Sequence, residues 1–184
     1  MHMLKTCAVA LGLVALAAGQ AQAADETPTP ESYADMGFYL RGDIGWSFLE
    51  WGGGQDDDGL SAGAGVGYQV NDQIRADLRY DWAGQYHVAP GADMNVSTVL
   101  GNLYFDIPTD MMLTPHLGAG LGYGWANVDG AKDKDGFAYA LMGGASVSLT
   151  DSIDLDVEYR FRQILSSGSD PMEHQVTTGV RFKF

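Results

Sequence analysis

The stretch QVTTGVRFKF, residues 175–184, decides the fold. Val176, Thr178, Val180, Phe182 and Phe184 alternate with Gln175, Thr177, Gly179, Arg181 and Lys183. A period of two puts the first set on one face of a strand and the second on the other. The apolar face carries the terminal aromatic, Phe184. A last strand that closes a sheet within lipid is built this way.

Seven more segments alternate upstream. Residues 38–48 set Phe38, Leu40, Ile44, Trp46 and Phe48 against Tyr39, Arg41, Asp43 and Ser47. Residues 59–70 set Leu60, Val66, Tyr68 and two alanines against Ser61, Gly63, Gly65, Gly67 and Gln69. Residues 73–83 set Ile74, Ala76, Leu78, Tyr80 and Trp82 against Arg75, Asp77, Arg79 and Asp81. Residues 95–107 carry Val99, Leu103, Phe105 and Ile107 against Asn102, Tyr104 and Asp106, with parity ambiguous in the first half. Residues 113–125 set Leu117, Ala119, Leu121, Tyr123 and Trp125 against His116 and four glycines. Residues 137–149 set Phe137, Tyr139, Leu141, Val147 and Leu149 against small residues. Residues 153–161 set Ile153, Leu155, Val157, Tyr159 and Phe161 against Asp154, Asp156, Glu158 and Arg160, with Arg162 next in the same phase. Alternation on this scale, with 25 glycines and regular turn signals, predicts an all-β chain: an eight-stranded antiparallel, up-and-down transmembrane β-barrel over residues 37–184.

Charge decides which face meets lipid. The polar face holds seven basic residues (Arg41, Arg75, Arg79, Arg160, Arg162, Arg181, Lys183) and seven acids (Asp43, Asp77, Asp81, Asp106, Asp154, Asp156, Glu158). A basic side chain at the bilayer midplane costs about 2–4 kcal/mol. Several would erase an ordinary stability of about 5–15 kcal/mol. The polar face therefore points inward, as a formally neutral charge network. Eight strands leave an interior that side chains can fill, so a plugged, salt-bridged lumen is expected. Strands three and seven hold most of the charge and would face each other. Glycine and alanine on strands two, five and six are expected to make room for the arginines. The other reading of these charges is a proton or ion path.

Connections expected to be short fall at 71–72, 108–112 and 150–152; long loops are expected at 50–58, 84–94, 127–136 and 163–173. This pattern places the long loops outside the cell and both chain ends in the periplasm. The aromatics agree. Trp46, Phe48, Tyr80, Trp82, Tyr123, Trp125, Phe137, Tyr139, Tyr159 and Phe161 gather toward the long loops, while Phe38, Tyr68, Phe105 and Phe182 gather at the other end. These are expected to be two membrane-interface belts. The long loops carry Glu50, Asp56, Asp57, Asp58, Asp93, Asp129, Asp133, Asp135, Asp170 and Glu173 against Lys132 and Lys134. They read as a solvated acidic surface open to an extracellular partner, or as weak divalent-cation ligands near lipid headgroups.

The front of the chain reads as processing signal. Lys5, the apolar run from Cys7 to Ala18 and Ala21-Gln22-Ala23 form a secretory signal peptide over residues 1–23. The apolar run falls short of the roughly 20 residues needed to span a bilayer. Residues 24–36, with two prolines and four acids, read as a flexible periplasmic leader. Cys7 is the single cysteine, so no disulfide framework is expected. A formal net charge of -14 argues against nucleic-acid binding.

Other motifs fail on spacing. The glycine-rich run from Gly118 to Gly124 has a strict period of two and no following helix, unlike a nucleotide loop. Asp133-Lys134-Asp135-Gly136 lacks the terminal glutamate of a calcium loop. His87 with His174 is a conceivable haem or metal pair. His174 with Ser166, Ser167 or Ser169 lacks a nucleophile motif. No enzyme, cofactor or metal site is expected. A soluble lipocalin-like carrier would need the aliphatic face inside and leaves the two aromatic belts unexplained.

Phe38-Tyr-Leu-Arg-Gly-Asp-Ile-Gly-Trp46, Leu117-Gly-Ala-Gly-Leu-Gly-Tyr-Gly124 and Val180-Arg-Phe-Lys-Phe184 resemble the opacity-type, OmpA-like family of small outer-membrane barrels, and the first looks like the alphaproteobacterial surface antigens. The resemblance spans essentially all of the chain after the signal. It implies a Gram-negative outer-membrane protein that meets lipid and lipopolysaccharide. It implies an envelope-integrity, surface-antigen or adhesin-like role without catalysis. The alternative it leaves open is a haem-binding or narrow-channel protein. The family's terminal aromatic maps to Phe184, implying recognition by the barrel-assembly machinery. No peptidoglycan-binding domain is expected after the barrel.

Overall fold

The computed structural model describes residues 37–51, 55–89, 92–128, 134–165 and 172–184. Residues 1–36, where a signal peptide and leader are expected, lie outside these residues, as do Ser166, Ser167, Ser169, Asp129, Lys132, Asp133 and Asp170. Eight strands follow one another: β1 (Gly37–Trp51), β2 (Gln55–Gln69), β3 (Ile74–Ala89), β4 (Ala92–Asp106), β5 (Leu113–Val128), β6 (Lys134–Thr150), β7 (Ile153–Leu165) and β8 (Met172–Lys183). Each pairs antiparallel with the next, and β1 pairs with β8, so the sheet is a closed barrel. Closure leaves no edge with unpaired backbone groups, which a lipid environment requires. At the seam Phe184 donates its N–H to the Phe38 carbonyl, 3.1 Å away.

The strands run further than the alternation predicts, all at the end away from the termini. The expected loop 50–58 is largely ladder, with Glu50 opposite Asp56 and Leu49 opposite Asp57. The expected loop 84–94 pairs Tyr86 with Met94 and Ala89 with Ala92. Glu173 pairs with Leu49 and Arg162. Backbone N–H and C=O groups still need partners beyond the bilayer. Water there tolerates either face, so the ladder continues where the apolar alternation stops.

Two faces separate cleanly. Leu40, Ile44, Leu78, Leu103, Leu117, Leu121, Leu141 and Val157 are exposed on the outside, while Arg41, Asp77, Arg79, Glu158 and Arg160 are buried inside. β4 settles its parity by pairing: Val96, Thr98, Leu100, Asn102, Tyr104 and Asp106 are buried, and Val99, Leu103 and Phe105 are exposed. A register shift between Gly84 and Tyr86 turns Tyr86 into the lumen. A bulge of this kind inserts a residue and reverses the face of the residues after it.

Candidate functional site

The interior is the candidate site, and it has three tiers. Nearest the termini, Arg181 reaches Asp154 at 3.2 Å and Asp156 at 3.1 Å, and donates to Ser146 Oγ at 3.1 Å. Lys183 Nζ lies 3.2 Å from Asp154. Arg75 donates from Nε to Asp106 at 3.0 Å and lays its guanidinium over the Tyr104 ring, 4.1 Å from the centroid.

The middle tier turns on Glu158. Its Oε1 meets Arg160 at 2.9 Å, Arg79 at 3.3 Å and Arg41 at 3.9 Å, and its Oε2 lies 3.5 Å from His116 Nε2. Asp81 binds Arg160 and Arg79, each at 2.7 Å. Asp77 accepts from Arg41 at 3.2 Å, Tyr39 at 3.3 Å and Asn102 at 2.6 Å. Asp43 pairs with Arg79 and, at 3.6 Å, with Arg41. Thus β3 and β7 are bridged straight across the lumen. Arg160 is fully buried, at 0 % exposure. Buried charges persist only when paired, and sharing carboxylates among guanidinium groups gives every ion of this tier an opposite partner.

The outer tier centres on a residue the sequence places in a loop. Glu173 is buried and binds Arg162, with one contact at 2.9 Å from Nε. It also accepts from Ser47, from Tyr86 at 2.8 Å and from Gln175 at 2.9 Å. Arg162 reaches on to Thr98 Oγ1 at 2.6 Å. The expected seven acids become eight with Glu173, against seven basic residues. Its signal was parity: Glu173 keeps phase with Gln175 and Thr177, both buried.

The ion pairs fill only part of the lumen. Leu49, Met94, Val96, Leu100, Ala126, Ala138, Ala140, Met142 and Ile164 form a buried apolar cluster on the β4–β6 side and toward the outer end. Gly118 and Gly124 of β5 serve this cluster, and none of the β5 glycines lies against an arginine. A Cβ on Gly118 would meet the Tyr104 ring and Met142, one on Gly120 the Asn102 amide, and one on Gly124 Ile164. On β2 the expectation fits better, since Gly63 and Gly65 lie against Arg79. The difference is geometric: each glycine makes room for the strand beside it, side chain or backbone, and β5 lies between β4 and β6.

On the outside, Phe38, Trp46, Phe48, Tyr68, Tyr80, Phe105, Tyr123, Phe137, Tyr159, Phe182 and Phe184 are exposed, and Trp82, Trp125, Tyr139 and Phe161 are half-buried. At the outer end their polar atoms find partners. Trp46 Nε1 donates to Asp58 at 2.6 Å, Tyr123 to Asp135, and Tyr139 to Gln163 Oε1 at 2.5 Å. Tyr159 pairs with His174 Nδ1 at 2.6 Å. Asp58, Asp135 and His174 are therefore strand residues bound to outward-facing aromatics, not loop residues. His116 is buried in the lumen, whereas the side chain of His87 lies outside the described residues. Two shallow clefts, one around Leu103, Phe105 and Leu117 and one around Ile44, Leu155 and Val180, open on the outside of the barrel wall.

This architecture is shared with known proteins. The sequence model of the Outer membrane protein beta-barrel domain matches residues 9–184. An uncharacterized protein of Brucella abortus (strain 2308) is 31% identical over 217 residues, covering 81% of this chain and 76% of its own length. Outer membrane protein A of Escherichia coli O157:H7 is 28% identical over 95% of this chain, which spans 54% of that protein. The crystal structure of Neisserial surface protein A superposes with a TM-score of 0.71 at 25% identity, covering 80% of this chain and 97% of that one. The chain belongs to the outer membrane protein β-barrel domain family, and its place is the bacterial outer membrane.

Proposed function

We propose that the protein is a non-catalytic structural and surface-interaction barrel: it supports envelope integrity and presents a surface antigen or adhesin-like face. The observation that carries this reading is the filled lumen, where β3 and β7 are joined by Arg79–Glu158 at 3.3 Å and Arg160–Asp81 at 2.7 Å, with the apolar cluster beside them. A barrel so filled offers solutes no wide path. Its working surfaces are then its wall and its outer rim.

The outer rim is acidic where described, with Glu50 and Asp58 exposed. This supports a partner or bridging cation at the cell surface, in contact with lipopolysaccharide. The similarity to Neisserial surface protein A, a surface protein by its name, supports the same reading. The last strand, ending in Phe182 and Phe184 with rings 6.2 Å apart, is the segment offered to the barrel-assembly machinery. Planar-bilayer recording tests the plug: no sustained conductance is expected, and steady open channels would sink the reading. A deletion strain tests the role, with increased detergent and dye entry expected and restored by the intact chain.

A further inference from the structure

Three connections close the periplasmic end, and one is unlike the others. Between β2 and β3 the turn is Asn71-Asp72-Gln73, with Asn71 Oδ1 accepting from the N–H groups of Gln73 at 2.9 Å and Ile74 at 2.8 Å. Between β6 and β7 it is Asp151-Ser152, with Thr150 Oγ1 accepting from the Ser152 N–H at 3.3 Å. Both are polar turns. Between β4 and β5 the chain reads Ile107-Pro-Thr-Asp-Met-Met112, and Met111 and Met112 are 62 % and 84 % exposed.

These methionines are held out by an ordered turn. The Ile107 N–H donates to the Pro115 carbonyl at 2.8 Å, and Thr109 Oγ1 donates to the Leu113 carbonyl at 2.6 Å. Just above, Leu103, Phe105 and Leu117 are exposed on the bilayer-facing wall, with Phe105 directly opposite Leu117 in the ladder. Ile107 and Leu113, both exposed, continue that surface down to Met112. The apolar wall therefore runs on past the strand ends to the tip of this turn; beside β2 it stops at Val70, also exposed, before the polar tip Asn71-Asp72-Gln73. A contiguous exposed apolar surface marks an interaction site. Methionine, unbranched and polarizable, adapts to irregular apolar surroundings.

We infer that the Met111-Met112 turn is embedded in the periplasmic leaflet of the outer membrane, so that the barrel sits deeper on its β4–β5 side. The occupant is phospholipid, because the patch is continuous with the lipid-facing wall and its one charge, Asp110, does not interrupt the apolar path. The two polar turns stand in water.

The test uses the full chain with Cys7→Ser, and Met112→Cys, Asp72→Cys or Asp151→Cys as the labelled thiol. Each variant carries an environment-sensitive fluorophore and sits in phosphatidylcholine–phosphatidylglycerol vesicles with brominated acyl chains. Each is first shown to be folded by its change in gel mobility on boiling; position 112 is exposed, so its substitution removes no packed contact. The expected result is at least twofold stronger quenching by brominated lipid at 112 than at 72 or 151, with aqueous iodide ranking the sites in reverse. Equal bromine quenching at all three sites overturns the inference. So does a 112 probe shielded from iodide yet untouched by bromine, which would mean that a second copy covers the turn.

Discussion

The two sides of the lumen are filled by different physics. On β1, β3, β7 and β8 the inward residues are ions that share partners: Arg41, Arg79 and Arg160 all reach Glu158. On β4, β5 and β6 they are Leu100, Tyr104, Ala126, Ala138, Ala140 and Met142, packed over a row of glycines. Both sides exclude solvent, but they fail differently. An ionic cluster tolerates small movements and cannot lose a member. In the apolar cluster only Tyr104 touches the ions, accepting from Arg41 at 3.0 Å, and the contacts of the other members depend on shape. The outward face is common to both sides, so the bilayer does not distinguish them.

The ionic side is the one to break first. Glu158→Ala leaves three guanidinium groups without their shared acceptor, in a site closed off from bulk solvent. Removing one partner of a buried pair costs about 3–5 kcal/mol. Urea unfolding of the protein in lipid vesicles, followed by tryptophan fluorescence, is expected to show a loss of that size. A loss under about 1 kcal/mol would mean that water already fills the tier. On the apolar side, Leu100→Ala removes a fully buried side chain. A loss within the usual span of about 2–5 kcal/mol is expected, toward its lower end if Tyr104 and Met142 close the gap. Salt does not separate the two variants: both sites are buried, so 1 M salt is expected to leave both deficits essentially unchanged.

How far this division was legible depends on what sets each residue's direction. Where charges alternate with large aliphatics, as in Arg75 to Trp82 or Ile153 to Phe161, parity is fixed by the cost of a charge in lipid, and the sequence alone suffices. β4 lacks that contrast in its outer half. Ser97 faces outward beneath Tyr80, whose hydroxyl lies 3.2 Å away, so Val96 and Leu100 are the apolar residues that point in. Their direction comes from pairing with β3 and β5, which no local pattern encodes. Tyr86 owes its place to a bulge, and bulges are set by both strands together. Glu173 was readable by phase but comes after a proline and a run of polar residues, the ordinary marks of a loop. The ladder continues past that point because hydrogen bonding does not end where hydrophobicity does.

The glycines sharpen the comparison at smaller magnitude. A Cβ on Gly122 would run into the Val99 carbonyl and the Leu100 Cα, which are backbone and cannot swing aside. Gly122→Ala is therefore expected to cost about 1–3 kcal/mol, the range for overpacking. Gly101 faces lipid, and its nearest neighbour to a new Cβ is the Leu121 carbonyl oxygen at 3.8 Å. Gly101→Ala is expected to stay within about 0.5 kcal/mol. Equal effects at the two positions would show that the apolar side is loosely packed and that its glycines are there for other reasons.

The smallest effect is expected where the ionic network meets water. Lys183 Nζ lies 3.2 Å from Asp154, but its side chain is 30 % exposed, whereas the carboxylate is nearly covered. Asp154 also keeps Arg181 at 3.2 Å and the Ser148 hydroxyl at 2.8 Å, so it is not stranded when the lysine is lost. Exposed pairs contribute about 0–1 kcal/mol and are screened by salt. Lys183→Gln is expected to cost less than about 1 kcal/mol at low salt and nothing measurable at 1 M, by the same urea unfolding. A cost that persists at high salt would place Lys183 inside the desolvated cluster with Arg41 and Arg79. It would also extend the desolvated ionic core to the rim beside the chain ends, because salt can screen only a charge that ions can approach.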